Sequence, residues 1–240
     1  MPALPRRPRT LRCASSPASS DRTLSPIANH RFTIRARLFR VPQVLKDDVR
    51  SRIRAAALRA FAVHGYAGAT MAGVAAEAAM APANLYRYYR NKQELYDAVV
   101  PDDVVNALEQ VVGRRVEDFA ALVKRNGTTT DVADEMMQFW LHYRLESVVI
   151  LSGAAGTRHA DVVARINGLS VDALVNALPA GAVAPGDLDL FESIWTNTSR
   201  TIARILLHNE TEADLRGTIT SFWRYQVAGL TALLRHLAQR

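Results

Sequence analysis

Residues 70–95 read TMAGVAAEAAMAPANLYRYYRNKQEL, and the way this stretch divides decides the fold. Thr70 is placed to cap a short helix from Met71 to Ala78, because its hydroxyl can accept from backbone N–H groups that lack a partner in a helix's first turn. A three-residue break follows, Ala79 to Ala81. Pro82 stands where proline best begins a helix, Leu85 to Tyr89 makes the next short helix, and a longer one starts at Lys92. Two short helices on a tight turn, the second rich in polar and aromatic groups, give the helix-turn-helix layout. Val74, Ala78, Met80 and Leu85 are apolar where the pair must pack, and Ala75 is small where the backbones come closest. Asn84, Tyr86, Arg87 and Tyr88 are left on the outside, and all four are side chains that reach phosphates or base edges. The competing reading is three plain core helices with tyrosines as filler. Neighbours on a helix diverge by about 100°, so positions 86 to 88 cannot all face inward.

On the N-terminal side the pattern is helical from Leu45. Val49, Ile53, Ala56, Ala57, Ala60 and Phe61 recur three or four apart, with Arg50, Arg52, Arg54 and Arg59 between them. Gly65 is expected to stop this helix. Residues 1–44 hold nine Arg against one Asp, six prolines and clustered serines, with no apolar period. They read as a disordered basic arm, either a source of extra phosphate contacts or a dispensable extension. Their composition resembles a transit peptide, but no secretory h-region is present.

Charge is distributed unevenly. Residues 1–44 carry net +8, residues 45–92 net +5 and residues 93–240 net −6, within a chain total of +7 over 240 residues. A basic front on an acidic rear implies a polyanionic partner for the front alone. A single cysteine, Cys13, excludes a disulfide framework and a thiolate metal cage. Apolar runs such as Val148 to Leu151 fall far short of the roughly 20 residues of a membrane span. A soluble, cytoplasmic protein with no membrane association is expected.

The run IRAAALRAFAVHGYAGATM from Ile53, followed by AGVAAEAAMAPANLYRYYRNKQEL from Ala72, resembles the DNA-binding region of TetR/AcrR-type transcriptional regulators. The shared features are a Phe-Ala…Gly-Tyr helix end, a Thr before the second helix, and a Leu-Tyr-x-Tyr-aromatic helix closing on Asn-Lys-x-x-Leu. The resemblance implies an all-α fold with three organisational parts. These are the arm 1–44, a three-helix DNA-binding domain over 45–92, and a helical effector-binding and dimerisation bundle over 93–240. It also implies that Thr70, Tyr86 and Lys92 hold phosphates while Asn84, Arg87 and Tyr88 face bases. Arg87 suits a bidentate guanine contact and Asn84 an adenine, each worth about 1–3 kcal/mol of discrimination. Two positions depart from the family pattern. Ala79 occupies the turn where glycine is usual, at a cost of about 1–2 kcal/mol if that residue is left-handed. Ala81 replaces the usual capping serine, forfeiting about 1 kcal/mol.

The rear is helical in pattern, with expected breaks at Gly113, Asn126-Gly127, Gly153 to Gly156 and Pro179 to Gly186, giving five or six further helices. Leu188, Phe191, Trp195, Thr198, Ile202, Ile205 and Leu206 form one stripe. Leu215, Ile219, Phe222, Trp223, Gln226, Leu230, Leu233, Leu234 and Leu237 form another, with Gly229 permitting close approach. By similarity to the family these last two helices would pair with a second copy as a four-helix interface, the alternative being an intrachain core. A homodimer would present two recognition helices to a palindromic duplex. An effector site belongs inside the bundle, with Phe139, Trp140, Tyr143, Arg144, Trp195 and Thr198 as candidate walls for a hydrophobic or aromatic molecule. The bland alternative is ordinary packing.

No catalytic or metal-binding constellation emerges, and no cofactor is expected. The six histidines are scattered singly, and there is no Glu-x-x-His motif, Walker loop, dinucleotide fingerprint or Gly-x-Ser-x-Gly elbow. The expectation is a ligand-responsive dimeric regulator acting as a repressor. The alternatives are a DNA-binding module whose rear recruits a protein, and an all-α enzyme using His142, Arg144 and Glu146.

Overall fold

A computed structural model describes residues 43–124 and 134–239, and every regular element among them is helical. Residues 1–42 of the expected arm and the break at Asn126-Gly127 lie outside the described residues, and Gln43 and Val44 already belong to the first helix. Helix α1 (Gln43–Gly68) follows the periodicity: Ile53, Ala56, Ala57 and Phe61 are wholly buried while Arg50, Arg52, Arg54 and Arg59 face outward. Gly65 breaks it with φ 66°, a left-handed angle that costs glycine nothing.

Helices α2 (Met71–Glu77), α3 (Pro82–Leu85) and α4 (Lys92–Val99) close the front module against α1. Its core is Ile53, Phe61, Val74, Ala75, Ala78, Leu85, Leu95 and Tyr96. The second short helix begins at Pro82 and ends at Leu85 rather than spanning Leu85 to Tyr89; Tyr86 to Tyr88 continue as a turn.

In the rear, α5 (Asp102–Lys124) runs through Gly113 without the expected break. One glycine in a helix costs about 1 kcal/mol, which a long helix packed on α6 and α8 outweighs. The stretch between the expected breaks at Asn126-Gly127 and Gly153 is not one helix. It becomes α6 (Asp134–His142), α7 (Arg144–Val148) and a π-helical turn, Val149–Gly153. Helices α8 (Val162–Val175), α9 (Pro185–His208) and α10 (Glu212–Leu237) complete the bundle. Both apolar stripes are largely inside the chain. Phe191, Trp195, Ile202 and Leu206 are buried on α9, as are Leu215, Ile219, Trp223 and Leu230 on α10, whereas Leu188 is exposed. Among the described residues no helix is long and apolar enough to cross a membrane.

Front and rear are joined along two lines. Helix α1 packs on α7 and on the π-helical turn. Buried His159, in the loop before α8, meets the Tyr96 hydroxyl at 3.2 Å through Nδ1 and the Asp102 carboxylate at 2.9 Å through Nε2. That imidazole ties α4 to the start of α5, and its hydrogen bond holds the Asp102 carboxyl below its usual range.

Candidate DNA-binding surface and effector cavity

Thr70 has extended backbone angles and its Oγ1 accepts from the Gly73 N–H at 3.0 Å, the capping geometry expected of it. Its hydroxyl proton remains available, and the residue is exposed. In the turn, Ala79 has φ 53°, the left-handed conformation that usually selects glycine. Ala81 caps α3 without a side-chain hydrogen bond. Both departures noted in the sequence therefore fall on positions whose geometry asks for the missing residue.

Leu85 is fully buried and fixes α3 to the module, so its neighbours must turn away from the core. Asn84, Tyr86 and Arg87 are exposed, Tyr86 to 51%. Tyr88 is half-buried against the core, and so presents less of its ring outward than the sequence led us to expect. Tyr89 is buried, and burial pushes its phenol above the ordinary value even with Arg54 and Arg50 of α1 nearby. Three side chains of different chemistry, an amide, a phenol and a guanidinium, thus stand together on one short outer surface. An amide and a guanidinium are the groups that form paired hydrogen bonds with base edges.

Lys92 is engaged within the chain. Its Nζ donates to the carbonyls of Tyr66 at 2.7 Å, Ala69 at 3.0 Å and Ala67 at 3.3 Å, and lies 4.4 Å from the centre of the Tyr66 ring. All three ammonium protons have acceptors, so the residue closes the carbonyl end of α1. Nothing in its sequence context separates this role from the phosphate contact implied by the family resemblance, because its acceptors arrive from a bend more than twenty residues upstream.

The rear bundle holds a partly open cavity of about 50 Å3 between α5, α6, α8, α9, α10 and the π-helical turn. Of the expected walls, Trp140, Trp195 and Thr198 line it. Phe139, Tyr143 and Arg144 do not: Phe139 and Tyr143 pack on each other at 5.1 Å, and Arg144 donates to the carbonyls of Leu206 and Asn209 at the end of α9. A helix's last carbonyls lack internal partners, so a nearby guanidinium is drawn to them. Sequence reasoning missed Trp223, Arg115 and Leu151, which also line the cavity. Trp223 had been assigned to a stripe on the last helix, and periodicity does not say which member of a stripe faces a void.

With this geometry in hand, the comparisons with known proteins fall into place. The family model for bacterial regulatory proteins of the tetR family matches residues 53–99. The front of this chain is a tetR-family domain. The match runs from Ile53 in α1 to Val99 at the end of α4, so α4, which supplies Leu95 and Tyr96 to the front core, is part of the tetR-family domain. It supports the coarse function of DNA-binding transcriptional regulation, carried by an all-α chain. A solved structure from Mesorhizobium loti MAFF303099, assigned to the TetR family of transcriptional regulators, is 16% identical. That alignment covers 78% of this chain and 96% of the other, with a TM-score of 0.32. No curated protein matches the sequence.

Proposed function

We propose that the protein is a dimeric, ligand-responsive repressor that reads a palindromic operator through α3. One observation carries the reading: Asn84, Tyr86 and Arg87 are exposed beside a fully buried Leu85. On this account Arg87 and Asn84 contact base edges, Tyr86 and the Thr70 hydroxyl contact phosphates, and Tyr88 contributes its exposed edge. Lys92 acts by holding the end of α1 in place.

The dimer reading draws on the uncovered face of α10, where Gly217, Ser221, Tyr225, Ala228 and Ala232 are exposed, Tyr225 to 74%. A Cβ placed on Gly217 or Gly229 would meet nothing within 4 Å, so the close approach expected of Gly229 has no intrachain partner. A second copy packed there would set two copies of α3 at fixed separation on the duplex. Sedimentation of the full chain tests this; two copies are expected, and a Tyr225→Glu variant should be monomeric.

Ligand response is supported by the cavity's position. Leu151 lines it from the π-helical turn, and that turn packs on α1 of the tetR-family domain. An effector can act only through different affinity for two arrangements of the chain. A wall that bears on α1 supplies a physical route for that difference. The test is DNA selection from a random duplex pool. Wild type should enrich a palindrome, and Arg87→Ala should relax one base position per half-site while leaving the fold intact. Enrichment unchanged in Arg87→Ala would remove α3 as the reading element.

A further inference from the structure

The cavity in the rear bundle is almost wholly apolar, and its walls include every indole of the protein. The protein has three tryptophans, and Trp140, Trp195 and Trp223 all line this one space. Each is more than nine-tenths buried, and none of the three indole Nε1–H groups meets an acceptor among the described residues. A buried donor left without a partner costs about 1–3 kcal/mol, so three on one small cavity are a concentrated deficit.

The two hydroxyls on the wall already use their protons on neighbouring groups. Thr198 Oγ1 donates to the Ile194 carbonyl at 2.8 Å and accepts from Gln226 Nε2 at 2.8 Å. Ser199 Oγ donates to Asn167 Oδ1 at 3.3 Å. An indole can only donate. Arg115 adds positive charge to the lining, and among the described residues no carboxylate lines it. What the wall lacks is an acceptor within hydrogen-bond reach of its three indole donors.

We propose that this cavity takes an apolar molecule carrying carbonyl-type acceptor oxygens, neutral or anionic, whose oxygens satisfy the indole N–H groups of Trp140, Trp195 and Trp223. The proposal rests on the reading of the rear bundle as an effector domain and specifies the effector's chemistry. Cations and molecules that only donate are disfavoured, because they bring nothing for an indole to donate to. A dry engineered cavity of about 150 Å3 admits benzene. At about 50 Å3 this one admits such a molecule only by parting its walls. Leu151 belongs to the turn that packs on α1, so a wall movement that includes it would carry occupancy to α1.

The test uses the full chain and two probes of the same shape, 2-decanone and 2-methyl-1-decene, in which a carbonyl oxygen is exchanged for a methylene. Every tryptophan of the protein lines the cavity, so intrinsic fluorescence reports on its walls alone. The ratio of the two affinities should fall about tenfold in Trp195→Phe or Trp223→Phe, which keep a ring and remove the N–H. Differences in how the probes partition from water cancel in that ratio. A second measurement needs no variant: the infrared carbonyl stretch of 2-decanone bound to the unaltered chain should lie below its position in hydrocarbon solvent, as a hydrogen-bonded carbonyl's does. Saturable binding of both probes with an unshifted stretch, or a ratio unchanged by the substitutions, overturns the proposal and leaves the effector domain standing. A fluorescence signal that responds to neither probe overturns the proposal and the effector reading together.

Discussion

The tetR-family domain and the rear bundle place their spare hydrogen-bonding capacity on opposite sides of their helices. In the front module the buried set is apolar apart from tyrosine, and Asn84, Tyr86 and Arg87 stand on the surface with Thr70. The surface of the rear bundle carries ion pairs such as Arg165 with Glu109 at 2.6 Å and Arg216 with Glu212 at 2.8 Å. Among the bundle's described residues the buried polar groups without a partner are the indole N–H groups of Trp140, Trp195 and Trp223 and the hydroxyl of Ser147. A surface that presents donors suits a large partner docking from outside, whereas an interior that presents them suits a small partner that is enclosed. The contrast follows from where each module leaves polar groups unsatisfied, and it is the ground on which we propose duplex DNA for one and an effector for the other.

Leu85 and Arg87 divide the front module's two tasks most sharply, so substituting them should give the largest separation. Leu85→Ala should lower stability by about 2–5 kcal/mol, measured by denaturant unfolding, because it empties a fully buried site. Arg87→Ala should leave unfolding unchanged and lose about 1–3 kcal/mol of discrimination at one base position. If Arg87→Ala instead destabilises the fold, its side chain belongs to the core and the contrast fails.

Lys92→Ala comes next in size. The family resemblance implies a uniform loss of DNA affinity with a shallower salt dependence, while the three carbonyl contacts imply a stability loss of about 1.5–3 kcal/mol. Thermal melting at fixed salt, alongside DNA titrations at several salt concentrations, separates them. A lowered melting temperature with an unchanged salt slope is expected.

Ala81→Ser should stabilise the front by about 1 kcal/mol by supplying the absent cap on α3. Equal stability of variant and wild type would mean that the N–H groups there are satisfied by other means.

Glu146 gives the smallest effect and belongs to the rear. Burial raises its carboxyl above the ordinary value of 4.5, with His142 and Arg54 offsetting part of that. A raised folded-state value means that the folded chain holds this proton to higher pH than the unfolded one. Stability from this group is full below 4.5 and is lost as pH rises through the raised value. Glu146→Gln should therefore raise the melting temperature slightly at pH 7 and leave it unchanged at pH 4. A lowered melting temperature at pH 7 would mean that its charge is needed as a partner for Arg54.

The front was readable from sequence because its signals are local. Thr70 caps α2, Pro82 opens α3, Leu85 anchors it, and each acts within a turn or two of itself. Tyr88 was harder, because half-burial depends on what lies beneath it and spacing alone does not supply that. In the rear, helix existence was readable but continuity was not: Gly113 is carried by the packing of α5, and Tyr143 interrupts a helix that periodicity had joined. The contacts of Arg144 and Lys92 were not legible for one reason: the carbonyls each one meets come from distant parts of the chain. Trp140 and Trp195 were found as cavity walls by their type, and Trp223 was missed because its stripe looked like a seam.

The central claim is that α3 reads duplex DNA, and it is tested most directly by binding the full chain to fragments selected from a random pool, in parallel with Asn84→Ala and Arg87→Ala. Each variant should relax preference at its own base position, one adenine and one guanine per half-site, with melting temperatures equal to wild type. Retained preference at both positions, in variants that remain folded, would contradict the account.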